Sequence, residues 1–179
     1  MSEQTATTRV EFVQGDIANQ PAFNAIVNAA NAQLLPGGGV AGAIHRAAGH
    51  GLAEECQPLA PIRPGQAVIT GGHQLPNRWV IHCLGPVYGR DEPSDELLAQ
   101  CYHNALRIAD EAGVQSIAFP AISTGVFGYP LEAAALVALA AVKDALGDLK
   151  SIKRIRFVLH RTSDRTVFES AWQSIITGS

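Results

Sequence analysis

The stretch Ser116-Ile117-Ala118-Phe119-Pro120-Ala121-Ile122-Ser123-Thr124-Gly125-Val126-Phe127-Gly128-Tyr129-Pro130 leads from an apolar run through a glycine-bearing loop to a proline. Ser116 to Phe119 reads as a central strand. Pro130 opens a long helix ending at Gly147, which follows the proline-first, glycine-last asymmetry of helices. Strand, glycine loop and helix in succession are the unit of an α/β protein. Working outward, Val10 to Val13, Ala25 to Val27 (running into Asn28), Ala67 to Thr70, Trp79 to Leu84 and Ile155 to Leu159 are further strand predictions. A Gly71-Gly72 turn and Pro76-Asn77 separate the third of these from the fourth. Val40 to Ala48 has helical character. Asp95 to Ala112 repeats Leu98, Tyr102, Ala105, Leu106 and Ala109 at helical spacing and stops at Gly113. A last helix is expected through Ile176, with Ser163 or Asp164 as its cap. This alternation predicts a layered α/β sandwich.

The 179 residues suit one domain, with 1–8 as a flexible polar tail and 9–179 as the folded unit. Hydrophobic residues make up 47% and charged residues only 16%, which excludes a disordered, solvation-driven chain. Thirteen basic against sixteen acidic residues give a formal charge of −3. No run of Lys or Arg supplies the basic patch that phosphate neutralisation along a nucleic acid needs. Cys56, Cys83 and Cys101 show no C-x-x-C spacing, so buried, reduced thiols are expected rather than a disulfide framework or a zinc cage. The first residues carry no apolar leader, and the longest apolar run, Ala133 to Val142, is about half a membrane span. A cytoplasmic protein is expected.

Glycine clusters at Gly37-Gly38-Gly39-Val40-Ala41-Gly42, reached through Asn28-Ala29-Ala30-Asn31, and again at Ser123 to Gly128. Each cluster lies between a strand and a helix. Such loops let backbone N–H groups approach phosphate oxygens, and a helix start favours negative charge. Glycine also marks ordinary turns, but the two clusters together favour a pyrophosphate clamped from both sides. Gly37, Gly39 and Gly42 satisfy G-x-G-x-x-G, yet Asn31 to Pro36 separates them from their strand. The nearest acids, Glu54 and Glu55, lie in a helical stretch, so a hydride-transferring dinucleotide enzyme is disfavoured. Asp16, just after the first strand, reads equally as an exposed turn residue or as an acceptor for an exocyclic amine. Asn28 and Asn31 can serve turns or orient a sugar hydroxyl. His45 and His82 read as packing or hydrogen-bonding residues. No Ser/His/Asp order or Cys/His pair supports covalent catalysis.

Gly15-Asp16-Ile17, Ile26-Val27-Asn28-Ala29-Ala30-Asn31, Gly37-Gly38-Gly39-Val40, Ile44-His45-Arg46-Ala47-Ala48-Gly49 and Pro120 to Pro130 resemble the macrodomain family, most closely its MacroD-type branch. His82 with Gly85-Pro86-Val87 is similar to a further family segment. The resemblance implies a three-layer α/β/α sandwich with a central mixed sheet. It implies binding of ADP-ribose and hydrolysis of ADP-ribosyl esters, namely O-acetyl-ADP-ribose and ADP-ribosylated acidic side chains. By position, Asp16 would hold the adenine amine, with the Ile17 N–H nearby. Asn31 would orient the distal ribose as the catalytic residue, and Asn28 is a further ligand-binding candidate. Gly38, Gly39 and Val40 would form one diphosphate loop. Ser123, Thr124, Gly125, Val126 and Phe127 would form the other, with the Phe127 ring against the distal ribose. His160 would lie beside the adenine.

One position departs from the resemblance. MacroD-type members carry Asp directly after Gly-Gly-Gly-Val as the candidate for activating water, and here that residue is Ala41. The expected partners are ADP-ribose and ADP-ribosylated proteins or metabolites, without nucleic acid, membrane, metal or cofactor. A reader module that binds and performs no chemistry is the alternative expectation.

Overall fold

The computed structural model describes residues 7–178, so residues 1–6 of the expected tail lie outside the described residues. Strands β1 (Arg9–Gln14), β2 (Ala25–Ala29), β3 (Ala67–Gly71), β4 (Trp79–Cys83), β5 (Ser116–Phe119) and β6 (Arg154–Leu159) form one sheet. Helices α1 (Gly39–Ala48), α2 (His50–Cys56), α3 (Ser94–Glu111), α4 (Leu131–Ala145) and α5 (Thr162–Thr177) cover it. The sheet order is β1-β6-β5-β2-β4-β3, with β3 antiparallel to β4 and the other pairs parallel. The sheet is therefore mixed, as expected.

Side chains alternate across the strands and build two cores. Phe12, Val27, Ile117, Phe119, Ile155 and Phe157 face the layer of α3, α4 and α5. Ile26, Ala118 and Val158 face α1 and α2, where Ile44, Ala48, Leu52 and Cys56 complete the second core. This is the three-layer sandwich. All three cysteines are free and buried.

Phe157 is the hub of the first core. Its ring centroid lies 5.3 Å from Phe168, 5.4 Å from Phe119 and 5.8 Å from Phe12, in the range of favourable aromatic pairs. Tyr102 packs 5.9 Å from the same ring, and its hydroxyl leaves the aromatic cluster. That oxygen accepts from Ile122 N at 3.1 Å and donates to Pro120 O at 3.4 Å. A buried phenol on α3 thus satisfies two backbone groups where the chain leaves β5.

One expectation changes. Helix α5 starts at Thr162 with Arg161 in the cap position and no side-chain capping bond. Ser163 and Asp164 already lie in the first turn, whereas a cap must precede the first helical residue. The helix expected over Val40 to Ala48 ends there as α1, where Gly49 adopts φ +84° and separates it from α2.

Tyr102→Phe keeps the ring and removes the hydroxyl, leaving Ile122 N–H and Pro120 C=O buried and unpaired. Denaturant unfolding should show a loss of about 1–3 kcal/mol. Unchanged stability would remove the hydroxyl from the account of how the chain leaves β5.

Candidate functional site

Strand β2 pairs with β4 along all five residues but with β5 only at Ala25↔Ile117 and Ile26↔Ala118. Beyond those pairs the two strands part at their carboxyl ends. The loops that follow them, before α1 and α4, face each other across a crevice. Open α/β sheets bind ligands at such places. A cleft of about 950 Å³ lies here, lined by Asp16, Ile17, Gly39, Val40, Thr124, Gly125 and His160 among others. A second cavity of about 510 Å³ lies by the end of α3 and the approach to β6. Its polar groups pair with one another: His103 sits 3.8 Å from Asp144, and Arg107 sits 3.7 Å from Glu111. The carboxylate of Asp110 accepts the backbone N–H groups of Lys150, Ser151 and Ile152. With its polar groups answered internally, that cavity is the weaker candidate.

The first loop is built to expose a helix start. Gly38 caps α1 without a side-chain bond, and no acidic residue occupies the first turn. The N–H groups of that turn have no partner within the helix, and the helix dipole adds partial positive charge. Gly42 is required for packing, since a Cβ there would collide with Gly37 O. Asn31 clamps the loop by accepting from Leu35 N at 3.0 Å and donating to Leu35 O at 2.8 Å. An amide oxygen has a second lone pair and an amide nitrogen a second N–H, so each end keeps one free position.

In the second loop Thr124 Oγ1 donates to Ala121 O at 2.8 Å, and Gly128 N donates to Gly125 O at 3.0 Å. A Cβ on Gly125 would meet nothing within 4 Å, so any side chain there would enter open space. Gly39 and Gly125 line the same cleft from its two sides.

At the other end, Gly15 N donates to Leu159 O, which joins the ends of β1 and β6. This brings Asp16 and Ile17 beside His160. Asp16 Oδ1 accepts from Ala18 N at 2.9 Å, leaving Oδ2 without a partner among the described residues.

Of the other expected site residues, Asn31, Asn28, Gly38, Ser123, Val126 and Phe127 are not in the lining of the cleft. Asn28 is 1% exposed, and its Nδ2 lies 3.1 Å from His82 Nδ1. Burial removes it from direct contact with a sugar hydroxyl. Ser123 is buried, with Oγ donating to Pro86 O. Gly38 lies at the exposed loop just outside the cleft wall, and Val126 is 100% exposed. Phe127 is half-buried against the second core. Conversely, Gln14, Pro120, Val158, Arg161 and Asp164 line the cleft, although the sequence does not mark them as ligand contacts. Pro120 does lie inside the motif that leads into the second glycine loop. The others carry no signal, because only the pairing of β1 with β6 brings them to the mouth.

Beneath α1, His82 Nε2 lies 2.9 Å from Thr70 Oγ1 and 3.7 Å from Cys56 Sγ. Burial, with His45 as a second influence, pushes His82 down to about 3, so it is neutral. Burial also lowers His45. Among the described residues no group of three or more His, Cys, Asp or Glu is gathered to hold a metal, and no helix is long and apolar enough to cross a membrane.

The Macro domain family model matches residues 27–138. A macro domain-containing protein of Chlorobaculum tepidum is 45% identical over 163 residues, covering 90% of this chain and 94% of the relative. The Xenopus laevis protein named ADP-ribose glycohydrolase MACROD2 is 46% identical over 164 residues, covering 90% of this chain and 39% of that protein. Among solved structures, the Oceanobacillus iheyensis macrodomain with ADP matches with a TM-score of 0.89 and 39% identity, covering 94% of this chain and 92% of that one. The Trypanosoma brucei macrodomain in complex with ADP-ribose matches with a TM-score of 0.84 and 36% identity, covering 90% and 68%. On fold, loops and sequence alike, the chain belongs to the Macro domain family.

Proposed function

We propose that this protein binds ADP-ribose in the cleft and hydrolyses ADP-ribosyl esters, both O-acetyl-ADP-ribose and mono-ADP-ribosylated acidic side chains. The observation that carries the reading is the pair of unobstructed glycine loops. Gly39 at an uncapped helix start and Gly125 with open space before it face one cleft. A diphosphate is the group that such opposed N–H surfaces suit. Solved relatives are described with ADP and with ADP-ribose bound, which supports the same ligand here.

In this reading Asp16 accepts the adenine amine through Oδ2, the Ile17 N–H lies alongside, and His160 covers the base. The free amide positions of Asn31 orient the distal ribose. Gly39 and Val40 hold the diphosphate from one side, and Thr124 and Gly125 from the other. Ser123 shapes the second loop, while Val126 and Phe127 stand at its mouth. Water adds across the ester linkage and releases ADP-ribose and a free carboxylic acid. Ala41 cannot accept the proton of that water, so an oxygen of the substrate's own diphosphate takes it. The protein's part is to position ribose and water. Ala41 is also the observation that favours a second reading, a module that binds ADP-ribose without chemistry.

Incubation with O-acetyl-ADP-ribose and with a mono-ADP-ribosylated acidic peptide separates the two readings. Release of ADP-ribose above the buffer rate is the expected result, and release at the buffer rate alone makes the protein a reader.

Gly125→Glu should leave the fold intact, since a Cβ there meets nothing within 4 Å, and should abolish ADP-ribose binding by placing a carboxylate against the diphosphate. Calorimetry on the folded variant checks this, and retained affinity would move the ligand away from the second loop.

Ala41→Asp separates two sources of proton transfer. A well-placed base contributes about 10²–10⁴-fold, and a grafted one lacks tuned surroundings, so a gain at or below the low end would mark a missing base. With the substrate's phosphate as acceptor, the expected single-turnover rate under saturating enzyme is equal to or below the parent's. A faster variant would overturn the phosphate assignment.

A further inference from the structure

Ser123 is a non-glycine residue held in the left-handed region at φ +71°, at the point where the second loop turns toward the cleft. L-residues avoid that region unless their surroundings impose it. The surroundings here are the segment after β4, residues 85–91. Ser123 Oγ donates to Pro86 O at 2.8 Å. Gly85 lies directly beneath, since a Cβ there would collide with Ser123 Oγ and Ile122 Cγ2. Tyr88 N donates to Phe127 O at 2.9 Å, and the Tyr88 ring packs 4.7 Å from Tyr129 at the loop's far end. The segment therefore holds the second loop at its start, at Phe127 and at its exit.

The segment is itself closed by Asp91. Its Oδ2 accepts from Val87 N at 2.8 Å, while the Arg90 and Asp91 N–H groups donate to Val87 O. Ser94 Oγ, at the start of α3, donates to Asp91 O. Neither Tyr88 nor Asp91 lines the cleft.

We infer that residues 85–91 form a strap that sets the geometry of the second glycine loop, with Asp91 and Tyr88 as positioning residues for the grip on the diphosphate. The inference rests on the ADP-ribose reading for its ligand, but the strap's hold on the loop exists without ligand. Removing a strap contact gives the loop a more open population. Affinity then falls for a ligand held by both glycine loops, more than for one that engages the adenosine end and carries a single phosphate.

The test compares Asp91→Ala and Tyr88→Ala with the conservative Asp91→Asn and Tyr88→Phe. The Asn retains an acceptor for Val87 N, and the Phe retains the ring against Tyr129. Hydrogen exchange of the Gly128 and Tyr129 amides, which bond Gly125 O and Ser123 O, reads the loop in ligand-free protein. Exchange should accelerate roughly three- to tenfold in the alanine variants, the worth of one ordinary hydrogen bond, and stay near the parent's in the conservative pair. ADP-ribose affinity should fall by a similar factor, with AMP affinity held within about twofold. Unchanged exchange in both alanine variants would overturn the strap, as would equal losses for ADP-ribose and AMP. Because Tyr88 is 49% exposed, its truncation keeps the test open if Asp91→Ala fails to fold. A parent protein that does not bind ADP-ribose overturns the proposed function, while the exchange comparison still decides the strap.

Discussion

The sheet cannot stay paired where the cleft opens, and the rest of the molecule is arranged around that break. Strands β2 and β5 share two residue pairs and then diverge, while β2 remains bound to β4 for its whole length. A row of backbone groups that would otherwise pair strand to strand is replaced by two loops that line a cavity. Buried backbone groups left unanswered are costly. The loops must therefore carry internal bonds or be tied to neighbours, and both occur. Asn31 closes the first loop on Leu35, and Ser123 anchors the second on Pro86.

The two cores divide the work of supporting that break. The core under α3, α4 and α5 is aromatic, with Phe157 touching four other rings. It continues into the site through the hydroxyl of Tyr102, which holds the chain as it leaves β5. The core under α1 and α2 is aliphatic around a small polar island of Asn28, Thr70, His82 and Cys56. One side supplies rigidity by ring packing. The other holds the helix whose open end faces the cleft.

Much of this arrangement is legible in the amino-acid sequence. Strands β2, β5 and β6 are short apolar runs ended by turn residues, and α3 shows its buried face at helical spacing. The glycine loops stand out because glycine is concentrated there and little else competes for the reading. What stays hidden depends on contacts far apart along the chain. The antiparallel edge strand β3 looks like any other strand until β4 is beside it. Arg161 and Asp164 reach the cleft only because β6 lies next to β1. Asn28 and Asn31 look equivalent as flanks of two alanines, yet strand geometry turns one into the interior and leaves the other in the loop.

His45 on α1 and His82 beneath it have a consequence for how the molecule meets a changing environment. His82 titrates at about 3 and His45 below its ordinary value, both because burial disfavours the charged form. Across neutral and mildly acidic conditions His82 therefore stays neutral beneath the glycine helix. The field at the open end of α1 comes from fixed peptide dipoles rather than from an ionisable side chain. A binding surface made that way has a constant polarity. Acidity reaches it through the incoming molecule and the groups at its rim, while the buried His82 beneath keeps one charge state.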